Sequence, residues 1–241
     1  MFGIKNYTPK DVPTTKSKTV LVTGTEAGFG RRMVETLSGA GHTVVAAMRE
    51  IKGINATAAS ELRELPNVVV IGLDASADDA KIESALHAAA AAAGSPIDVL
   101  LLMSATGKIG QSSDELMAYF DERIASQHRI ARTVSHDMAK RGHGSIIFMS
   151  RTPLDMGTDS AGVGAFSATQ WAIEALARTM RTELRSSGVD VFFFPAGAEL
   201  YDLDDVDPDM FFETTAKQLE AGAAPPDPLV VAGTLLQLVG Q

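Results

Sequence analysis

Six short, continuous apolar runs recur along the chain, separated by segments in which helix-forming residues dominate. Such runs are typical of strands buried on both faces, because helices cover both sides of a parallel sheet. The runs occupy residues 19–24, 42–48, 67–74, 97–103, 144–150 and 189–195. The sequence therefore predicts an α/β fold with a single doubly wound parallel sheet of six strands.

The domain organisation follows from where this pattern begins. Residues 1–17 are polar, contain two prolines and show no period, so we expect a flexible N-terminal arm. Residues 18–241 show no break in composition, and we expect them to form one domain with a sizeable core. The longest predicted helices span 112–141 and 160–187, and a last helix begins near Pro228.

The net charge, the cysteine content and the lengths of the apolar runs limit the kinds of molecule that the chain is expected to bind. The formal net charge is -9, which argues against nucleic acid and anionic membranes as partners. The chain has no cysteine, which excludes disulfides and thiolate metal sites, and we expect no metal site of another kind. No apolar run is long enough for a membrane span, and the first residues do not resemble a signal peptide. These features predict a cytoplasmic location.

A glycine-rich turn, T-G-T-E-A-G-F-G, leads from the first predicted strand into a helix. In this spacing Gly24 permits a tight turn, Gly28 lets the backbone approach a phosphate, and Gly30 lets helix and strand pack closely. The helix N-terminus would then offer free N–H groups and the positive end of its dipole to a pyrophosphate. The turn predicts a dinucleotide site, with a purely structural turn as the alternative.

With Thr23 before the first glycine, this pattern resembles the short-chain dehydrogenase/reductase (SDR) family, classical type, over about residues 18–240. Further matches are Asp74, IDVL at 97–100, GSIIFMS at 144–150, A-x-S-A at 165–168 and, more loosely, FPAGA at 194–198. The resemblance implies a Rossmann fold that binds a nicotinamide dinucleotide. It also implies that the family's seventh strand is missing, because the chain stops after its last predicted helix.

The resemblance places the cofactor on a defined set of residues. They are Gly24, Thr25, Gly28, Phe29, Gly30, Arg49, Asp74, Ala75, Ser104 and Ala105. Arg49 follows the second strand, where an acid would bind a ribose 2′-hydroxyl and a guanidinium suits a 2′-phosphate. NADP(H) is therefore favoured over NAD(H), although Glu26 in the turn would oppose a phosphate. Binding of neither nucleotide remains an alternative.

The resemblance fails at the residues that carry the family's chemistry. The tyrosine that supplies a proton and the lysine that tunes it fall on Phe166 and Gln170. The serine falls on Arg151, and the asparagine falls near Arg123. Ser150 and Tyr201 are the nearest candidates to replace the missing groups. The loss of all four roles predicts that ordinary carbonyl reduction by the family's mechanism is absent.

Two arginines in an apolar cleft would attract a carboxylate or phosphate. Arg123 and Arg151 therefore predict an anionic small molecule as a second ligand. The alternative is that each guanidinium pairs with a local acid, for example Asp121 or Asp155.

Three functions remain open from the sequence. The first is a nucleotide-binding sensor or the inactive partner of an active relative. The second is an enzyme on the SDR scaffold that uses non-standard residues on an anionic substrate. The third is an ordinary reductase whose acid is Tyr201 or a water. We expect a homodimer through the helices at 112–141 and 160–187, or a hetero-oligomer with an active SDR.

Overall fold

The computed structural model of the chain describes residues 16–103, 112–151 and 164–196. In these residues six strands form one sheet in the order β3-β2-β1-β4-β5-β6, and every neighbouring pair is parallel. The strands are β1 (Thr19–Thr23), β2 (Thr43–Met48), β3 (Val68–Gly72), β4 (Val99–Met103), β5 (Gly144–Arg151) and β6 (Val189–Ala196). The predicted fold class, one doubly wound parallel sheet, is confirmed.

Helices cover both faces of the sheet. They are α1 (Gly28–Gly39), α2 (Ala56–Arg63), α3 (Asp79–Ala93), α4 (Ser113–Phe120), α5 (Ser126–Arg141) and α6 (Gly164–Leu184). Successive strand residues point to opposite faces, which divides the core into two clusters. One cluster packs the sheet against α1 and α2, and the other packs it against α3, α5 and α6.

The predicted long helix at 112–141 is continuous but not uniform. A capping box between Ser112 and Glu115 starts α4, and Gly142 ends α5 in a left-handed conformation. Between α4 and α5 the residues Asp121–Ala125 form a π-helical turn, hereafter the π turn. A π turn is wider than an α-helical turn and is frequent at functional sites. The sequence contains no glycine or proline here that would have predicted it.

The apolar residues of the two long helices divide between the core and the surface. Ile130, Val134 and Met180 are buried against the sheet, whereas the Trp171 side chain is 59% exposed. Among the described residues, no helix has the length and hydropathy that a membrane span requires. The arm, the final helix near Pro228 and the missing seventh strand concern residues wholly or mostly outside the described ranges and stay predictions.

Candidate functional site

The turn between β1 and α1 has the backbone that a phosphate site needs. Gly24 has a φ of +65°, a left-handed conformation in which a side chain would be strained. Ala27 precedes α1 in an extended conformation, and within the described ranges no side chain caps the first N–H groups of this helix. The start of α1 therefore has unpaired donors and the positive end of the helix dipole available for an anion.

Gly30 fixes how closely this turn folds back on itself. A Cβ atom at Gly30 would lie 2.1 Å from the Gly24 carbonyl oxygen, far inside any contact distance. A Cβ atom at Gly28, in contrast, would meet nothing within 4 Å, so the space beside it is open. Gly30 therefore permits close packing within the turn, and Gly28 leaves room for a ligand against the backbone.

Three side chains hold the turn in place. Thr23 Oγ1 accepts a hydrogen bond of 2.9 Å from Met103 N, which ties β1 to β4. The buried Thr25 hydroxyl donates to the Ala47 carbonyl oxygen at 3.2 Å, which ties the turn to β2. The partly buried Phe29 packs against the core on the α1 side of the sheet. Thr25 and Phe29, both predicted cofactor residues, thus present mainly their backbones to a ligand.

Arg49 and Asp74 follow β2 and β3 at the same edge of the sheet. Arg49 Nη2 lies 3.2 Å from Glu122 Oε1 in an exposed ion pair. Asp74 Oδ1 accepts hydrogen bonds from the Ser76 hydroxyl at 2.6 Å and from Ser76 N at 3.0 Å. The Ser76 hydroxyl and backbone bonds lower the pKa of Asp74, so this carboxylate is ionised and available as an acceptor.

Glu26 is the one acidic residue inside the turn. Its Oε2 atom is buried and has no hydrogen-bond partner among the described residues. A buried carboxylate oxygen without a donor is unfavourable, and it also repels an incoming phosphate. This residue would therefore oppose the binding of an anion at the turn.

The two positions that the resemblance predicts for the family's tyrosine and lysine lie on the first turns of α6. Phe166 is half-buried, and Gln170, one turn later, is 2% exposed. The Thr169 hydroxyl donates to the Phe166 carbonyl oxygen at 2.7 Å and accepts a 3.5 Å contact from Gln170 Nε2. Neither Phe166 nor Gln170 carries an ionisable group, so the pair can neither donate a proton nor tune a donor.

Arg123 lies in the π turn and is 3% exposed. Its guanidinium carbon lies 4.6 Å from the centre of the Tyr119 ring, in a cation–π contact. Its Nε and Nη1 atoms are buried and have no hydrogen-bond partner among the described residues. The predicted alternative of a pair with Asp121 is wrong, because Asp121 Oδ1 accepts from Arg129 Nη2 at 2.8 Å instead.

The sequence analysis did not identify three residues that lie close to this arginine along the helix. Tyr119 and Gln127 lie four positions before and after it and are both buried. Glu122, the neighbour of Arg123, joins the π turn to Arg49. The i, i+4, i+8 spacing of Tyr119, Arg123 and Gln127 is visible in the sequence, but a regular helix also places such residues on one face without any site.

Several predicted site residues lie beyond what the structure describes. Ser104, Ala105, Asp155 and Tyr201 fall outside the described ranges. For Ser150 and Arg151 the structure describes the backbone, which pairs with Pro195 and Ala196 of β6 at the carboxyl end of β5. Their roles stay predictions.

Comparison with known proteins places the chain in a family. The family model of short chain dehydrogenases matches residues 18–199. A tropinone reductase homolog of Arabidopsis thaliana is 26% identical over 179 residues, 72% of this chain and 66% of the relative. An NADPH-dependent pterin aldehyde reductase of the same plant is 28% identical over 174 residues, 70% of this chain and 69% of the relative. The chain thus spans about two thirds of these relatives' lengths.

A solved structure agrees with the fold. The structure of an actinorhodin polyketide ketoreductase with NADPH has a TM-score of 0.71 to this chain at 22% identity. The likeness covers 93% of this chain and 90% of the ketoreductase. At this identity the likeness shows the fold, while the family model, which matches most of the chain, shows the family. The chain belongs to the short-chain dehydrogenase family, whose members bind nicotinamide dinucleotides on a Rossmann fold.

Proposed function

We propose that this protein binds a nicotinamide dinucleotide at the β1–α1 turn and does not catalyse the family's usual carbonyl reduction. It would act as a sensor of the nucleotide or as the inactive partner of an active relative. The observation that supports the proposal is the pair Phe166 and Gln170 on α6, at the positions that the resemblance predicts for the proton donor and its tuning lysine.

Carbonyl reduction needs a proton donor because negative charge develops on the substrate oxygen. Hydride transfer to a carbonyl carbon leaves negative charge on the oxygen, which must be protonated or stabilised as it forms. A phenol beside an ammonium does this because the cation makes the phenol a stronger acid. A benzyl ring cannot donate a proton, and a neutral amide can neither supply that proton nor make a phenol more acidic. The turn that would bind the nucleotide has the required glycines, whereas the group that would complete the reaction is absent from its usual place.

NADP(H) is the favoured nucleotide in this proposal. The support is Arg49, an exposed guanidinium directly after β2, where a 2′-phosphate would lie. The NADPH named for the pterin aldehyde reductase and for the ketoreductase structure agrees with this preference. Two acids act against it, because Glu122 already pairs with Arg49 and Glu26 lies in the phosphate turn.

A second candidate function is supported by Arg123. A buried guanidinium without a described acid partner suits an enzyme on this scaffold that binds an anionic substrate. In that case the arginine would stabilise negative charge instead of a tyrosine supplying a proton. An ordinary reductase that takes its acid from Tyr201 or from a water is the third candidate, and loss of turnover in Tyr201→Phe would support it.

Nucleotide titration with a parallel turnover assay separates these functions. Trp171 is the single tryptophan, lies next to Gln170 and is 59% exposed, so its fluorescence reports events near α6. We expect saturable quenching with NADPH, weaker quenching with NADH, and no oxidation of NADPH over a panel of aldehydes and ketones. Turnover at rates typical of working reductases would contradict the proposal.

Restoring the tyrosine and the lysine tests whether their loss explains the proposed absence of carbonyl reduction. The double variant Phe166→Tyr with Gln170→Lys regains a phenol and an ammonium one helical turn apart. Since general acid catalysis contributes about 10²–10⁴-fold, we expect at least a hundredfold gain in carbonyl reduction over the parent protein. The single variant Phe166→Tyr, which lacks the lysine, is the matched control and should gain less.

The assembly is part of the proposal. The helices of the expected dimer, α4 with α5 and α6, expose Met117 and Trp171, whose relative exposures are 65% and 59%. Large apolar side chains on these helices suit a contact with a second copy or with an active relative. Light scattering of the parent and of Trp171→Glu tests it, since a charge at a dimer contact should shift the population to monomers.

A further inference from the structure

Three buried polar groups follow one another along the α4–α5 helix. Tyr119, Arg123 and Gln127 are 5%, 3% and 5% exposed. The phenol oxygen of Tyr119, Nε and Nη1 of Arg123 and Oε1 of Gln127 have no hydrogen-bond partner among the described residues. We call these three residues the polar stripe. Buried polar atoms in native proteins are almost always paired, so three in succession call for an explanation.

The acids next to the polar stripe are already used. Asp121 binds Arg129 at 2.8 Å, and Glu122 binds Arg49 at 3.2 Å. Among the described residues neither acid forms an ion pair with the Arg123 guanidinium, which contacts the face of the Tyr119 ring. A cation–π contact compensates only part of the cost of removing a guanidinium from water. The charge on Arg123 therefore lacks a counter-ion in the described part of the chain.

The position of the polar stripe points to a ligand. The π turn that carries Arg123 packs against α6, the helix with Phe166 and Gln170. Glu122 of the same turn reaches Arg49 at the carboxyl end of β2. The polar stripe thus begins where ligands of open parallel sheets bind, beside the carboxyl ends of the strands.

We propose that the polar stripe binds the carboxylate of a small organic molecule. The guanidinium and the phenol hydroxyl donate to the two carboxylate oxygens, and Gln127 donates through Nε2 once its amide rotates. A single guanidinium balances a monoanion. A phosphate dianion would leave excess negative charge close to Asp121 and Glu122. This inference rests on the proposed function in placing the ligand beside the nucleotide, and it names the chemical class of that ligand.

Thermal unfolding of the full chain tests the proposal. Benzoate, inorganic phosphate and chloride are compared at equal ionic strength, without nucleotide and with NADPH. We expect benzoate to raise Tm in a saturable manner, with phosphate no more effective than chloride. An equal, Arg123-dependent effect of phosphate would overturn the assignment to a carboxylate. Since the nucleotide-free series stands alone, failure of NADPH to bind would refute the proposed function and leave this result interpretable.

Arg123→Met separates a ligand-binding charge from a structural one. Because methionine removes a buried cation that has no described counter-ion, at similar volume, we expect the ligand-free protein to gain roughly 4 °C in Tm. The same variant should lose at least about tenfold in benzoate affinity. Tyr119→Phe keeps the ring beneath the guanidinium and should lose less.

Arg129→Met is the matched control on the same helix. Arg129 is paired with Asp121 and with the Ala75 carbonyl oxygen at 3.3 Å, so its loss should lower Tm and leave the benzoate response intact. If Arg123→Met lowers Tm as Arg129→Met does, an acid of the chain already neutralises Arg123 and the proposal fails. Retention of the parent benzoate affinity in Arg123→Met would also refute it.

Discussion

The β1–α1 turn and the π turn lie beside the same edge of the sheet and differ in what determines them. In the first, glycines and the start of α1 determine the shape of the proposed ligand site, which depends on backbone geometry. In the second, the helix is intact and the chemistry depends on side chains such as Arg123 and Gln170. The contrast teaches that a site built from backbone and a site built from side chains place different demands on the sequence, and under our proposal only the second has changed.

The largest effect is expected at Gly30, where the backbone leaves no space. Gly30→Ala places a Cβ atom 2.1 Å from the Gly24 carbonyl oxygen, so the turn must move. We expect a loss of about 2–4 kcal/mol in the free energy of unfolding, together with loss of nucleotide binding. Urea unfolding and the Trp171 titration measure the two effects.

Gly39→Ala is the control for this substitution on the same helix. A Cβ atom at Gly39 meets nothing within 4 Å, so alanine should stabilise the protein by about 0.5–1 kcal/mol. If Gly30→Ala were tolerated as well as Gly39→Ala, the view that sterics fix the turn would be wrong.

Glu26→Gln removes the acid that opposes the turn. Because one Glu26 oxygen is buried without a described donor, loss of the charge should strengthen binding of both NADPH and NADH. We expect about a tenfold lower Kd, equivalent to about 1.4 kcal/mol. Glu64→Gln, an exposed acid after α2, serves as the charge-matched control. Equal changes in the two variants would point to net charge instead of a local effect.

Glu122→Gln probes the ion pair that connects the two regions. Exposed pairs such as Arg49–Glu122 contribute little, on the order of 0–1 kcal/mol. Freeing Arg49 should therefore lower the Kd of NADPH by no more than about fivefold and leave the Kd of NADH unchanged. Arg49→Met should weaken NADPH selectively. An unchanged NADPH to NADH ratio in both variants would remove Arg49 from the 2′-phosphate site.

The smallest effect concerns pH and lies away from both regions. His42 is buried at the start of β2, and its Nδ1 accepts from Lys18 N at 3.1 Å. Burial, and to a lesser extent the Lys18 charge, lowers the pKa of His42. The unfolded chain, with a pKa of about 6.5, then binds the proton more readily. The contribution of His42 to the free energy of unfolding is therefore fully present above this pH, and it is lost as the pH falls below it towards the lowered pKa of the folded state.

His42→Asn keeps an acceptor near the Nδ1 position and cannot titrate. We expect the Tm of this variant to change less than that of the parent protein between about pH 7.5 and about pH 5.5, a range that brackets the titration of histidine. His143→Asn, at an exposed site after α5, is the control and should retain the parent response. A parent-like pH dependence in His42→Asn would assign it to another group.

Local patterns predicted most of the fold. The continuous apolar runs placed each strand within about two residues of its observed bounds, because burial on both faces leaves few polar positions in the middle of a strand. Gly24, Gly28 and Gly30 likewise predicted the turn, since its requirements are steric and local in sequence.

Features that depend on contacts between distant segments escaped prediction. Arg49 and Glu122 are far apart in sequence, and no periodic pattern pairs them. The π turn has no sequence signal of its own, and it lies where the turn itself and the neighbouring α5 contact α6. Helical spacing also left the side of Trp171 undecided between core and surface, and the structure exposes it.

The contact between Gly30 and the Gly24 carbonyl has a consequence for how such a protein can change over time. A chain that needs this glycine merely to reach its native state cannot lose it, whether or not a nucleotide is ever bound. Phe166 and Gln170 differ from Gly30 because what they contribute depends on the chemistry of their side chains. The β1–α1 turn is thus retained because the fold requires it, and substitutions elsewhere can give it a new function while its backbone stays the same.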